Sequence, residues 1–509
     1  MIAAVHDRNT FLVPGYALVL RNGRLSGACL ACSVELIAAR WCARTVALES
    51  NPHAARVLHR LREAAELNSD GDRFTIMYEY EFATGHVRRE WIPPRATCSA
   101  CKTAPTPRTI QLLGADIIDV FTAGAESRFF FKTVTGQRLA GKGVQASGAG
   151  GTKEIAELKA VGEYLERSAS VFAAGSRYFG TYRALDLPSP HPQSYAIYSA
   201  EQYADPALGY APFTENSEIS WARGVNLATG DACYVPAQFC TFPYACDAPN
   251  EQYLSQWTTT GIAYGPTLEF ATEGALLEVL ERDALTISWL NRRSCRRIVG
   301  GPFEREHPPG WDIRYYDFTV DIRVPVVVAV TIHPESSAPL FTMGTGCAID
   351  PADAFEKAHN EMLMCIEHAH LVRLYRQPVT RLEDIASFED HSAYYAFGQP
   401  ALLQPLSYLL EGNESVAYTA WIAEPWIDSV DILERTLQHA GYPPIAIELT
   451  PAWMAGTGNI VRAVVPAMQA IHADHARPYL GGERLSGVPA KVGFPAFDLR
   501  KGVIPHGLP

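Results

Sequence analysis

Much is missing from this 509-residue chain, and each absence removes a class of function. No apolar run reaches the roughly 18 residues that a membrane-spanning helix needs, so no membrane partner is expected. The opening residues, Met1–Arg8, show no basic stretch feeding an apolar one, so no export signal is read. Cysteine is present at 11 copies, an odd number, and without an export signal a disulfide framework is not expected. A cytoplasmic location follows as the default. Lys/Arg-rich runs are absent and the formal net charge is −12, which argues against nucleic acid as a partner. Two phosphate-binding signatures are also missing. No Gly-x-Gly-x-x-Gly follows a strand-like run, and no Gly-x-x-x-x-Gly-Lys-Ser/Thr occurs.

What is present is a chain with 48% hydrophobic residues, long enough for more than one core. Leu12–Val19 and Ile76–Phe82 read as strands, and Glu35–Ala65 as helical with a break at Pro52. Ser127–Thr135 reads as a strand and Ala140–Gly151 as a Gly-rich loop carrying Lys142. Gly224–Ala237 reads as a hairpin turning near Thr229–Asp231. Thr258–Thr267 reads as a Gly-punctuated turn, Leu268–Leu290 as an amphipathic helix, and Val324–Val330 as a strand. A long helix follows over Asp350–Leu374, then strands over Ile445–Leu449 and Ile460–Val465. Without regular βαβ spacing, the expected class is α+β, with helices packed on mixed or largely antiparallel sheet. A boundary is placed near residue 125.

Two patterns carry chemistry. Cys29 and Cys32 form one Cys-x-x-Cys knuckle, and Cys98 and Cys101 another. Four thiolates in two knuckles suit one tetrahedral, structural Zn2+ that would also supply folding energy to a small region. Redox dithiols, an iron–sulfur cluster and unliganded thiols are the alternatives. The second pattern is Glu-x-x-Glu-Arg, which occurs twice: Glu163, Glu166, Arg167 and Glu278, Glu281, Arg282. Residues three apart share a helix face. Ile155, Leu158, Val161 and Leu165 give the first helix an apolar side, and Leu276, Val279, Leu280 and Ile287 do so for the second. Either each set is a surface ion-pair pattern, or carboxylates of two helices converge on hard divalent cations. The Lys142 loop, ahead of the first helix, reads as a phosphate cradle or as a plain turn.

The ordered motifs from Gly141 onward resemble the YcaO-domain family. They are Gly141-Lys142-Gly143, then Ala156-x-x-Lys159-Ala160-x-x-Glu163-x-x-Glu166-Arg167, then Leu276–Ala284 with Trp289, then Ala354-x-x-Lys357-Ala358-x-x-Glu361, and last Val464-Val465-Pro466 and Arg477 with Leu480-Gly481-Gly482. Within the family the likeness is greatest to azoline-forming cyclodehydratases of the type typified by SagD. Those enzymes have a similar Cys-x-x-Cys-bearing N-terminal region and end in Pro-x-Pro-x-Pro. Here the end reads Pro505-His506-Gly507-Leu508-Pro509, with glycine in place of the middle proline.

The resemblance implies residues 1–125 as a zinc-binding docking region and 126–509 as an ATP-binding catalytic domain. It implies Mg2+ on Glu163, Glu166, Glu278 and Glu281, and phosphate contacts from Lys142 and Arg282. Glu361 is a further candidate at the nucleotide, as is Lys159, which stands where the family commonly has serine. Pro509 or His506 is implied as the general base. The implied reaction is ATP-dependent conversion of Cys, Ser or Thr in a ribosomal precursor peptide to thiazoline or oxazoline. The alternatives are thioamide or amidine formation, or a non-catalytic zinc scaffold. Implied partners are the precursor peptide, a ubiquitin-activating-enzyme-like leader-binding protein, and the FMN-dependent azoline dehydrogenase that often accompanies such systems.

Overall fold

Before residue 152 the computed structural model describes strand segments only. Beyond that it describes residues 152–171, 178–241, 244, 251–256, 258–304, 311–333, 339–375, 378–412, 414–451, 454, 456 and 458–508. Cys29, Cys32, Cys98, Cys101, Lys142, Pro509 and the expected helix over Glu35–Ala65 lie outside the described residues. The chain divides into two compact units: Met1–Ala160 with Ile366–Val379, and Val161–Cys365 with Thr380–Pro509.

In the first unit, β1 (Ala3–Ala4), β2 (Thr10–Val13), β3 (Tyr16–Arg21), β4 (Ile76–Glu81) and β5 (Val87–Trp91) form one antiparallel sheet in that order. The strand expected over Leu12–Val19 is thus two strands, parted at Pro14-Gly15, a pair that favours a turn. β6 (Thr109–Leu112), β7 (Asp116–Ala123), β8 (Phe131–Gln137) and β9 (Gln145–Gly150) form a second antiparallel sheet. β9 corrects the loop expected over Ala140–Gly151. Its glycines serve close packing: a Cβ on Gly148 would lie 2.3 Å from both Ala156 O and Ala160 N of helix α1 (Lys153–Val171). Only a bare strand backbone on small helix residues can approach that closely. Hence α1 buries Ala156, Ala160, Tyr164 and Leu165, while Ile155 and Leu158, expected inside, are exposed.

The second unit holds two sheets. In one, β10 (Tyr178–Gly180), β11 (Ile219–Asn226), β19 (Ile445–Glu448), β20 (Asn459–Val464) and β13 (Ile262–Gly265) follow in that order, all antiparallel, with β12 (Ala232–Pro236) also paired to β11. The β11–β12 hairpin is the one expected, and Gly230, at φ +77°, takes the left-handed position in its turn. β13 corrects the turn expected over Thr258–Thr267. Only its lead-in glycine, Gly261 at φ +83°, behaves as a turn residue.

In the other sheet the order is β17 (Phe341–Cys347), β16 (Val326–Ile332), β15 (Asp312–Asp317), β14 (Arg296–Val299) and β18 (Ser415–Ala417). Its pairs are antiparallel except β14 with β18, which is parallel. The α+β class with mixed, mainly antiparallel sheet is as expected.

Helix α2 (Leu268–Leu290) packs against β13 and β20 of one sheet and β17 of the other. It therefore buries 16 of its 23 residues, not a single stripe, and the amphipathic reading of it is corrected. A helix covered on both sides must be apolar nearly all round. Helix α3 (Pro351–Tyr375) repeats the close approach seen at α1: a Cβ on Gly346 would sit 2.3 Å from Ala354 O and 2.6 Å from Ala358 N. The offsets match those of Gly148, Ala156 and Ala160. In each helix the next turn carries a glutamate, Glu163 and Glu361 respectively.

Candidate active site

Thr267 starts α2, its side chain accepting from Phe270 N, and the helix then runs inward between the sheets. That path carries Glu278, Glu281 and Arg282 into the interior. Arg282 is the hub. Its Nη1 lies 3.1 Å from Glu281 Oε1, and its Nη2 lies 3.8 Å from Glu278 Oε1 and 4.0 Å from Glu361 Oε1. Nη1 also donates to Thr345 Oγ1 at 2.9 Å. Thr345, on β17, ties the two helices together: its hydroxyl lies 2.5 Å from Glu281 Oε1 and 2.8 Å from Glu361 Oε2, and its backbone N–H donates to Glu361 Oε2. Glu278 Oε2 accepts from Gly261 N at 2.8 Å.

Glu163 and Glu166 come from the far end of α1. Glu163 pairs with Arg167 at 2.5 Å along the helix, with half of the Arg167 side chain exposed. Glu166 belongs to the interior set. Burial first, and then the charges of Glu278 and Glu163, push its carboxyl well above the usual range. Burial likewise raises Glu278, although Arg282 and the Gly261 N–H act against it. Burial raises Glu361 to about 7, with Arg282 opposing and Glu281 adding to the rise. Burial works against the charge on Arg282, but Glu281, Glu361 and Glu278 outweigh it and hold the guanidinium firmly charged.

Two residues of this site were not read from the sequence. One is Thr345. The other is Arg462, on β20, which is 7% exposed. Its Nη1 donates to Thr258 O at 2.9 Å and its Nε has no partner. Burial pulls its pKa down, and Glu278 and Glu166 act in the opposite direction. A lone arginine inside Ile460-Val461-Arg462-Ala463-Val464 was the available signal. Arg282 and Arg462 both line a cleft, along with Thr258, Thr260, Gln256 and Tyr479. Two guanidinium groups make this cleft receptive to a polyanion.

The donor set is carboxylate oxygen, the kind that hard Mg2+ takes. Carboxyls held above their usual range by burial and one another regain their charged form beside a divalent ion. The residues therefore fit Mg2+.

This makes Glu361 a titration reporter. An acid whose pKa is raised in the fold binds its proton more tightly folded than unfolded. The cost in stability appears as pH rises from 4.5 through about 7 and is complete above that. In metal-free buffer, Glu361→Gln should raise Tm over wild type at pH 8, with the gain shrinking toward zero by about pH 5. A pH-independent difference in melting curves would count against this reading.

Of the remaining expected residues, Lys159 stands exposed on α1, one turn before Glu163. Its counterpart in α3, Lys357, donates from Nζ to Cys347 O at 3.0 Å. The tail is bound into the second unit. Trp289 Nε1 donates to Ile504 O at 3.0 Å and Tyr395 Oη to Pro505 O at 2.7 Å. Gly507 N donates to Met343 Sδ at 3.1 Å, a contact that proline, lacking an N–H, cannot make. A Cβ at Gly507 would also lie 2.6 Å from Phe341. The glycine that departs from the proline pattern thus has a local cause. Met343 and Thr345 share a face of β17, so the tail runs along the strand face that carries the glutamate tie. His506 is buried, with its ring stacked on His391 at 3.8 Å, and burial lowers its pKa to about 4.

A family model described as YcaO cyclodehydratase, ATP- and Mg2+-binding, matches residues 147–469. Among curated proteins, an uncharacterized protein of Methanothermobacter thermautotrophicus is 32% identical over 158 residues, 29% of this chain and only 40% of that relative's length. Among solved structures, a heterocyclase in complex with substrate and cofactor matches with a TM-score of 0.62 at 16% identity, covering 96% of this chain and 76% of the other. YcaO from Methanopyrus kandleri bound with AMPPCP and Mg2+ matches at 0.52 and 20% identity, over 74% of this chain and 91% of the other. The heterocyclase TruD matches at 0.52 and 17%, over 97% and 74%. At these identities the structural likeness establishes the fold.

Proposed function

Because this chain belongs to the YcaO cyclodehydratase family, whose model is ATP- and Mg2+-binding, we propose that it is an ATP-dependent peptide heterocyclase of the azoline-forming, SagD-like type. The observation that carries the proposal is the gathering of Glu278, Glu281 and Glu361 about Arg282, with the Glu166 carboxyl acting on Glu278, beside a cleft that Arg462 also lines. A surface ion-pair pattern has no use for carboxylates of two helices drawn together on one arginine.

In this reading a Cys, Ser or Thr side chain of the precursor peptide adds to the preceding backbone carbonyl. The oxygen of that carbonyl takes the γ-phosphoryl group of ATP and leaves as phosphate, and the ring closes as a thiazoline or oxazoline. Amide oxygen is a poor leaving group and phosphate a good one. Mg2+, when bound, would neutralise the triphosphate and stabilise charge developing in the transfer. Glu163, Glu166, Glu278 and Glu281 would hold it, and Glu361 would join them through Thr345. Arg282 and Arg462 would meet phosphate oxygens from the cleft wall, with Lys142 and Lys159 as further candidates. Four or five glutamates facing a triphosphate would otherwise repel it strongly in a shielded cleft. The general base is assigned to the tail, to the Pro509 carboxylate or His506. The burial and stacking of His506 favour Pro509.

Cys29, Cys32, Cys98 and Cys101 are proposed to hold a structural Zn2+ in a region that docks a leader-binding partner. An E. coli microcin synthetase McbBCD complex is also similar in fold, with a TM-score of 0.51, which supports work in an assembly. A FMN-dependent dehydrogenase would act on the azoline afterwards.

The test is the mass of a Cys/Ser/Thr-rich precursor after incubation with ATP, Mg2+, this protein and its partner. Loss of one water per ring is expected. Exchange of oxygen for sulfur would mean thioamide formation, and an unchanged mass with no ATP consumption would reject the enzyme reading.

A further inference from the structure

Away from the glutamates, the second unit holds a cluster of buried histidines that the proposed reaction does not use. His391 lies on the helix Phe388–Ala396, and His472 and His475 lie on the segment after β20. All three are buried, at 0%, 2% and 9% exposed. One ring nitrogen from each lies within 4.8 Å of the other two. His506, from the tail, stacks on His391.

The hydrogen bonds fix how these rings can act. His391 Nε2 lies 3.1 Å from Ala473 O. A carbonyl can only accept, so Nε2 carries the proton and Nδ1 presents a bare lone pair. That Nδ1 has no partner. His506 repeats the arrangement, with Nε2 donating to His472 O at 2.9 Å. His472 has no partner at either ring nitrogen, and His475 has none at Nδ1. Buried polar atoms are normally satisfied, so unpartnered lone pairs converging in one pocket need an occupant. An imidazole held by a backbone carbonyl at one nitrogen, with the other free, is the usual preparation of a metal ligand. Burial also lowers the pKa of each ring, favouring the neutral form that binds metal.

We propose that His391, His472 and His475 form a site for a zinc-class divalent transition metal, distinct from the Mg2+ site. Neutral imidazole nitrogen suits Zn2+, Co2+, Ni2+ or Cu2+ and does not suit Mg2+. Ligand atoms around a tetrahedral Zn2+ sit about 3.3 Å apart, so closing from the present spacing takes side-chain movements on the order of 1 Å. The fourth position is left to water. The ion fastens the helix Phe388–Ala396 to the segment after β20. Through the stacked His506, it also steadies the tail that runs along β17.

Metal content of the full-length protein tests this. The cysteine knuckles are a second candidate zinc site, so the measurement starts from a Cys29→Ser/Cys98→Ser variant, which disables them. After loading with Zn2+ and dialysis, that variant should retain about one Zn2+ per chain. Adding His391→Asn, His472→Asn and His475→Asn should remove it. Absence of retained metal in the cysteine variant, or retention unchanged by the histidine substitutions, would overturn the site. Should the combined variant fail to fold, wild-type protein stripped by chelator and reloaded with Co2+ or Zn2+ gives an independent readout. X-ray absorption should show imidazole nitrogen scatterers at about 2.0–2.1 Å. Sulfur and oxygen scatterers alone would refute the proposal.

Discussion

Glu278→Gln is expected to lower ATP-dependent cyclisation by about 10²–10³-fold, the scale on which removing one group that stabilises transition-state charge is felt, while the protein stays folded. The substitution keeps the side-chain shape and an oxygen that can accept from Gly261 N, the contact observed at 2.8 Å. It removes one negative charge from a set whose members raise one another's pKa. In metal-free buffer near pH 8 that relieves repulsion, so the variant should melt at or above the wild-type temperature. With Mg2+ and ATP it should fail, because the same charge is what the metal–nucleotide pair requires. Loss of rate with undiminished Tm is therefore the expected signature, read from precursor mass, phosphate release and a melting curve. Wild-type turnover by Glu278→Gln would remove Glu278 from the proposed site.

The second large effect is on stability. Arg484 is 2% exposed by side chain and donates to both Asp283 and Asp321, with Nη2 at 2.6 and 2.7 Å. Asp283 lies on α2, between Arg282 and the helix's buried end, and also accepts from Gln469 N at 2.7 Å. Burial pushes Asp283 up despite the arginine beside it. Burial also acts on Asp321, but Arg484 and Lys491 outweigh it and hold that carboxyl below its usual value. Removing the shared cation strands Asp283 and leaves Asp321 with Lys491 alone. Arg484→Met should cost about 3–5 kcal/mol, the range for breaking a buried pair from one side, and depress the unfolding midpoint on the order of 10 °C. Restoring charge balance with Asp283→Asn and Asp321→Asn alongside Arg484→Met should recover much of the loss. Thermal scans of the single and triple variants measure both. A single variant melting with wild type would show that the network contributes little.

The sequence made the helices and their glutamates legible because the signals were local. Glu-x-x-Glu-Arg is a one-turn pattern, and Ala-x-x-x-Ala followed by glutamate occurs in both α1 and α3. The reason for those alanines was not local. It lies in Gly148 and Gly346 on the preceding strands, whose missing side chains let the backbones meet. The same cause turned an expected Gly-rich loop into β9 and left Ile155 and Leu158 outside. Arg462 and Thr345 were invisible for a different reason. Each is a polar residue in a mainly apolar strand, and only the order of strands brings them to α2. The four histidines are scattered along the chain, and His472-x-x-His475 alone had a spacing to notice.

Helix α2 has one further consequence, for synthesis on the ribosome. Its two covers are made at different times: β17 begins at Phe341, and β20 only at Asn459. At roughly 5–20 residues per second, the apolar side that β20 will cover waits on the order of ten seconds after α2 emerges. For that interval a nascent chain carries an uncovered Leu- and Ala-rich surface together with its buried-to-be carboxylates. Yield of soluble protein should thus respond to chaperone supply and growth temperature more than the finished fold would suggest.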